Sequence, residues 1–217
     1  GSRWDDEGPI AAAWFRSLEA RRFADRLLAF LDTEIGDSRA FALKDPRCCR
    51  LAPVWFDVLR RRGHNIGVVL IARHPDEVAA SLQRAHTLDA DHARALWLRY
   101  NLDAERHSRG VPRAVISYDG LLADHARAVD HLTAGLGASW LQPSPAAMAA
   151  ITAFLSVGER HFTAKPDTDC GPAIDNPWIR DTWDALQRLA RPAPDPSVVA
   201  RLDQIGALVA TADHHVA

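Results

Sequence analysis

The stretch VVLIARHPDEVAASLQRA, Val68 to Ala85, begins as an apolar run, halts at Arg73-His74-Pro75 and resumes with apolar residues at helical spacing. Ile66 to Ala72 is rich in β-branched residues, the pattern of a strand buried on both faces of a parallel sheet. Pro75 suits the first position of a helix, Asp76 and Glu77 suit the positive end of its dipole, and Val78 and Leu82 fall on one face. Arg73 therefore sits where strand becomes helix. In open parallel sheets, ligands bind beyond the carboxyl ends of the strands, where free backbone donors converge. A guanidinium there, followed eight residues later by Ser81, is suited to a phosphate that also accepts the serine hydroxyl. From spacing alone the alternative stays open that Arg73 pairs with a neighbouring carboxylate and Ser81 is a small packing residue.

Working outward, Phe23, Leu27, Phe30 and Leu31 make one stripe of an N-terminal helix, with Gly36 as its stop. Ala40 to Lys44 (AFALK) is a short apolar run before Asp45-Pro46 and reads as a strand. Leu51, Trp55, Val58 and Leu59 share the face of a helix ended by Arg60 to Arg62 and Gly63. A longer helix spans Ala93 to His107 and is broken by Gly110 and Pro112; Arg113 to Tyr118 (RAVISY) reads as a further strand. Helices around Leu122 to Leu136, Pro145 to Leu155, Asp181 to Leu189 and Ser197 to Val209 complete the outline. Strands alternating with helices predict an α/β fold, a mainly parallel sheet flanked by helices, in one domain over residues 1–217.

The 217 residues carry a formal net charge of −2, which gives little non-specific attraction to nucleic acid or anionic membrane. The three cysteines, Cys48, Cys49 and Cys170, form no C-x-x-C and suggest neither a disulfide framework nor a zinc site, which fits a reducing cytosol. The ten histidines form no metal-ligand cluster, and we expect no metal. Apolar runs fall short of a membrane span and no leader is evident, so we expect a cytoplasmic protein. Only Lys44 and Lys165 are lysine, which makes each conspicuous.

Three segments in order, FALKDPRCCRLAPVW, VVLIARHPDEVAASL and RAVISYDGLLAD, the last after the helix ALWLRYNLDAERHSRG, resemble the sulfotransferase family. That family uses 3′-phosphoadenosine-5′-phosphosulfate as sulfuryl donor. The resemblance covers Phe41 to Leu136 and implies a P-loop-NTPase-like sulfotransferase fold. It assigns the donor's 3′-phosphate to Arg73 of R-x-P and to Ser81, and the adenine side of the nucleotide to Tyr118 of YDGLL. FLSVGERHF is similar to the basic segment that closes over the nucleotide phosphates in relatives, which points to Arg160 and His161. Lys44 stands where family members often carry a lysine near the sulfonate, and Arg47 adds positive charge; the other reading of Lys44 is a partner for Asp45 or a helix end.

Sulfuryl transfer needs in-line oxygens, cations on the transferring group, and a base for an alcohol acceptor. Where many relatives place a histidine shortly after the lysine, this chain has Asp45-Pro46, so the base does not carry over and Asp45 is nominated. The family's 5′-phosphosulfate loop, of the type R-S-G-T-S, has no counterpart here. The resemblance thus implies an N-terminally incomplete fold in which sulfuryl transfer to a hydroxyl or amine of a small metabolite, carbohydrate or lipid is impaired. The alternatives are a non-catalytic 3′-phosphoadenosine-nucleotide-binding module, a kinase or other P-loop-like nucleotide enzyme, and an α/β domain whose likeness is accidental.

Overall fold

The computed structural model of the protein describes residues 3–138, 142–156, 176–191, 195 and 197–213. Its helices are α1 (Leu18–Glu34), α2 (Ala52–Arg61), α3 (Pro75–His86), α4 (Ala90–His107), α5 (Tyr118–Ala123), α6 (His125–Leu136), α7 (Pro145–Ser156), α8 (Pro177–Leu189) and α9 (Ser197–Asp213). Between them lie two strands, β1 (Val68–Ala72) and β2 (Arg113–Ser117). The strands pair in parallel, Val68 opposite Arg113 through Ala72 opposite Ser117. They are joined by a crossover containing α3 and α4. The architecture is broadly α/β but mostly helical.

Local chemistry sets most boundaries. Ser17, Asp89, Ser117, Asp124 and Asn176 each cap the helix that follows by accepting a backbone N–H. Pro75 occupies the first turn of α3 as expected. Gly63, at φ +76°, ends the turn after α2 in a conformation that L side chains rarely adopt. The single helix expected over Leu122 to Leu136 is two, because Asp124 leaves helical geometry at φ −151° and accepts the N–H of Arg127.

Two expectations need correction. Ala40 to Lys44 is not a strand: residues 40–45 have no regular secondary structure, and the sheet of the described residues has only two strands. A short apolar run before a proline favours extended backbone, but a strand also needs a partner edge, and among the described residues none engages this segment. Nor is β1 buried on both faces. Leu70 and Ala72 join Val115 in a core with Trp97, Leu98, Leu102, Ile179, Leu186, Leu202 and Ile205 from α4, α8 and α9. On the other face Ala114 and Ile116 of β2 are buried, with α6 packed against the strand, whereas Val69 and Ile71 of β1 are 41% and 53% exposed. A second core joins α1 to α2 through Ala24, Leu31, Val54 and Val58.

The N-terminal segment is strapped to α4 by its backbone carbonyls. Tyr100 donates its hydroxyl to Trp4 O at 2.6 Å, His92 Nε2 meets Asp5 O at 2.7 Å, and Arg99 Nε donates to Glu7 O at 2.8 Å. Arg50, 4% exposed, donates to the carbonyls of Asp6 and Gly8 and pairs with buried Asp103.

Candidate functional site

The in-register ends of β1 and β2 place the next residues, Arg73 and Tyr118, side by side. The Arg73 guanidinium lies over the Tyr118 ring, 4.7 Å from its centroid, within the range of a cation–π contact. Two further contacts hold Arg73. The indole Nε1 of buried Trp97 donates to its carbonyl at 3.0 Å, and its own Nε donates to Oε2 of Glu77 at 3.0 Å. Glu77 is 3% exposed and lies in the first turn of α3. Among the described residues neither Nη group of Arg73 makes a hydrogen bond.

Ser81 lies one turn beyond Glu77 on α3, on the same face by helical spacing. The hydroxyls of Thr33, Thr133, Thr152 and Thr211 all donate to the carbonyl four residues earlier in their helices. The Ser81 hydroxyl makes no hydrogen bond among the described residues, so its donor is spare. His74 caps α3 through Nδ1, which accepts the N–H of Asp76 at 3.3 Å, and its ring meets Trp183 edge-on. Asp76, also buried, takes Nε of Arg94 at 3.1 Å. The charges around Arg73 are therefore paired inward, and the spare donors are those of Arg73 and Ser81.

Lys44, Asp45 and Arg47 form a second group. Asp45 caps the 3-10 turn Pro46–Cys49 by accepting the Arg47 N–H at 2.8 Å, and it takes Arg47 Nε at 2.9 Å. The hydrogen bond from the Arg47 side chain holds its carboxyl down at about 2. A carboxylate of such low basicity is a weak proton acceptor at neutral pH. Lys44 is exposed and makes no ion pair among the described residues, so the pairing with Asp45 goes to Arg47 instead. In the same turn, burial pushes the Cys49 thiol up to about 12 and raises that of Cys48.

The two groups rest on the same helix. Cys49 O meets His107 Nδ1 at 2.9 Å, and the neighbouring Arg50 binds Asp103, while Arg73 O is held by Trp97. No hydrogen bond or ion pair joins Lys44, Asp45 or Arg47 to Arg73, Ser81 or Tyr118 among the described residues. Arg160 and His161 lie outside the described residues. A groove lined by Glu7, Arg94, Leu98, Arg99, Trp178 and Val209 contains none of Lys44, Asp45, Arg47, Arg73, Ser81 and Tyr118. The described residues contain no group of three or more His, Cys, Asp or Glu side chains placed to hold a metal ion, and no helix long and apolar enough to cross a membrane.

The alternative that Arg73 pairs with a neighbouring carboxylate is met by Glu77, which the sequence reading does not name; Trp97, which holds the Arg73 carbonyl, was not foreseen. The spacing of Arg73 and Glu77, four residues apart across a helix start, was the available signal for the first; nothing local marks the second. Comparison of the chain with protein-family models, with curated proteins and with solved structures finds no match in any of the three.

Proposed function

We propose that the chain binds a 3′-phosphorylated adenine nucleotide at the ends of β1 and β2, as part of a sulfotransferase of P-loop-NTPase-like fold that uses 3′-phosphoadenosine-5′-phosphosulfate. The observation that carries this reading is the arrangement of Arg73: held at its carbonyl, its Nε and one guanidinium face, it keeps both Nη groups unbonded among the described residues, with the spare Ser81 hydroxyl on the helix that follows. A phosphate monoester matches this set, because its oxygens accept a planar fork and a hydroxyl together. Lys44, exposed and in no ion pair among the described residues, suits the charge that develops on a transferring sulfonate. The acceptor would be a hydroxyl or amine of a small metabolite, carbohydrate or lipid. The resemblance of FALKDPRCC, VVLIARHPDEVAAS and RAVISYDGLL to the sulfotransferase family supplies the reaction class.

A second reading, a non-catalytic module for the same nucleotide, is favoured by Asp45: its carboxylate is committed to Arg47 and held far below the range of a useful base. Binding separates these readings from a kinase-like one. Titration with 3′-phosphoadenosine-5′-phosphate, ADP and AMP should show preference for the 3′,5′-bisphosphate, weakened roughly tenfold to a hundredfold by Arg73→Ala, the range of a charge-assisted hydrogen bond, and less by Ser81→Ala. Equal or tighter binding of ADP would reject the 3′-phosphate site. Transfer of sulfuryl to an acceptor by the protein, lost in Lys44→Ala, would select the enzyme over the binding module.

A further inference from the structure

We infer that Glu77 is a positioning residue for anion binding by Arg73; the inference rests on the nucleotide reading above. A guanidinium can grip an oxyanion side-on, through Nε and one Nη, or end-on, through both Nη groups. Glu77 Oε2 accepts the Nε–H at 3.0 Å, which occupies the side-on edge. The guanidinium face is covered on one side by Tyr118, and Trp97 holds the carbonyl. What remains is the end-on fork, so the ligand's phosphate meets Nη1 and Nη2 and leaves Glu77 in place.

Charge supports the same conclusion. The buried Glu77 carboxylate offsets the Arg73 charge, so long-range attraction for a phosphate is small and binding depends on the geometry of short hydrogen bonds. Glu77 then matters through reach rather than through its charge. A side chain of the same length that accepts the Nε–H will serve; one that keeps the charge but is a methylene shorter will not.

The test is the ratio of dissociation constants for 5′-AMP and 3′-phosphoadenosine-5′-phosphate, which isolates the 3′-phosphate, measured on the wild-type chain, Glu77→Gln, Glu77→Asp and Arg73→Ala. We expect Glu77→Gln to keep the wild-type ratio within about threefold and Glu77→Asp to lower it at least about fivefold, the range of one misaligned charge-assisted hydrogen bond. Added to Arg73→Ala, the aspartate should have no further effect. A wild-type chain that does not distinguish the two nucleotides overturns the nucleotide reading and this inference together; discrimination that survives Glu77→Asp overturns the inference alone. Because Glu77 is buried and its variants are exposed to misfolding, the Arg73 Nε–H resonance of the wild-type chain gives a second readout. It should stay shifted and protected when the bisphosphate binds, and release of that proton to the ligand would contradict the end-on geometry.

Discussion

The guanidinium of Arg73 lies 4.7 Å from the centroid of the Tyr118 ring, and sheet register is the cause: Ala72 and Ser117 are opposite each other at the ends of two parallel strands, so the residues that follow emerge as neighbours. The resemblance assigned Tyr118 to the adenine side of a nucleotide. One face of that ring lies under Arg73, the candidate phosphate ligand.

In the proposed nucleotide site, that arrangement gives the supporting role to the ring face of Tyr118 and not to its phenol. Tyr118→Phe should leave affinity for 3′-phosphoadenosine-5′-phosphate within about twofold, while Tyr118→Leu should weaken it about threefold to tenfold, in keeping with a partly exposed cation–π contact. Isothermal titration of the two variants checks this. Equal losses in both would shift the role to the hydroxyl.

Asp45 gives a prediction with a definite sign. Its folded-state affinity for protons is depressed to about 2 by Arg47, so the stabilisation is present above the ordinary carboxylate range near 4 and is lost as pH falls through about 2. Carboxyl-carbon NMR should place the midpoint of Asp45 near 2 in the wild type and move it upward in Arg47→Ala. The pair is partly exposed, so the effect on stability is expected to be small. A midpoint near 4 in the wild type would show that the Arg47 contact does not persist in solution, and would return Asp45 to consideration as a base.

What the sequence made legible is local. β1, the proline start of α3 and the strand-to-helix position of Arg73 follow from a run of neighbouring residues, and all three are present. Ala40 to Lys44 carries the composition of a strand, yet strand formation depends on a partner edge that no short window contains. The same limit explains Val69 and Ile71: an unbroken apolar run marks two-sided burial, but α6 covers the β2 half of that face and not the β1 half. The strap of residues 4–8 is legible nowhere, because side chains of Arg50, His92, Arg99 and Tyr100 grip backbone carbonyls, which every residue possesses. Glu77 was within reach of spacing rules, since Arg73 and Glu77 stand four residues apart.

The thiols of Cys48 and Cys49 should be poor nucleophiles. With burial pushing Cys49 up to about 12, roughly one molecule in ten thousand carries its thiolate at pH 8, and its Sγ donates to Pro46 O at 2.9 Å. Alkylation by iodoacetamide at pH 8, followed by peptide mass spectrometry, should modify Cys49 far more slowly in the native chain than in the unfolded one. Rapid native labelling would mean that the Pro46–Cys49 turn opens readily.

Two helical glycines should respond oppositely to alanine. At Gly135 an added Cβ would lie 2.8 Å from both the Arg113 carbonyl and the Ala114 Cβ, where α6 meets β2, and the main-chain atom cannot step aside. Overpacking of this kind costs about 1–3 kcal/mol, more than the roughly 1 kcal/mol of helix propensity that alanine contributes. At Gly206 nothing lies within 4 Å of the new methyl, so Gly206→Ala should raise stability by about 0.5–1 kcal/mol. Urea unfolding of both variants tests the contrast, and stabilisation by Gly135→Ala would show that α6 stands farther from β2.

Arg50 should be the most damaging single truncation outside the candidate site. Its side chain is 5% exposed and that of Asp103, its partner at 3.3 Å, is 6% exposed; the same guanidinium also serves the carbonyls of Asp6 and Gly8 and lies 5.5 Å from the Tyr100 ring centroid. Arg50→Met leaves Asp103 charged and buried without that partner and frees two strap carbonyls, an expected loss of about 3–5 kcal/mol. Removing both charges, in Arg50→Met with Asp103→Leu, should recover part of that loss, because the buried carboxylate is then gone while the strap carbonyls remain unserved. Chemical denaturation of the two single variants and the double variant measures the coupling. Hydrogen exchange in residues 4–8 should accelerate whenever Arg50 is absent, whether or not Asp103 is replaced; strap amides as protected as in the wild type would show that His92, Arg99 and Tyr100 suffice to hold the segment on α4.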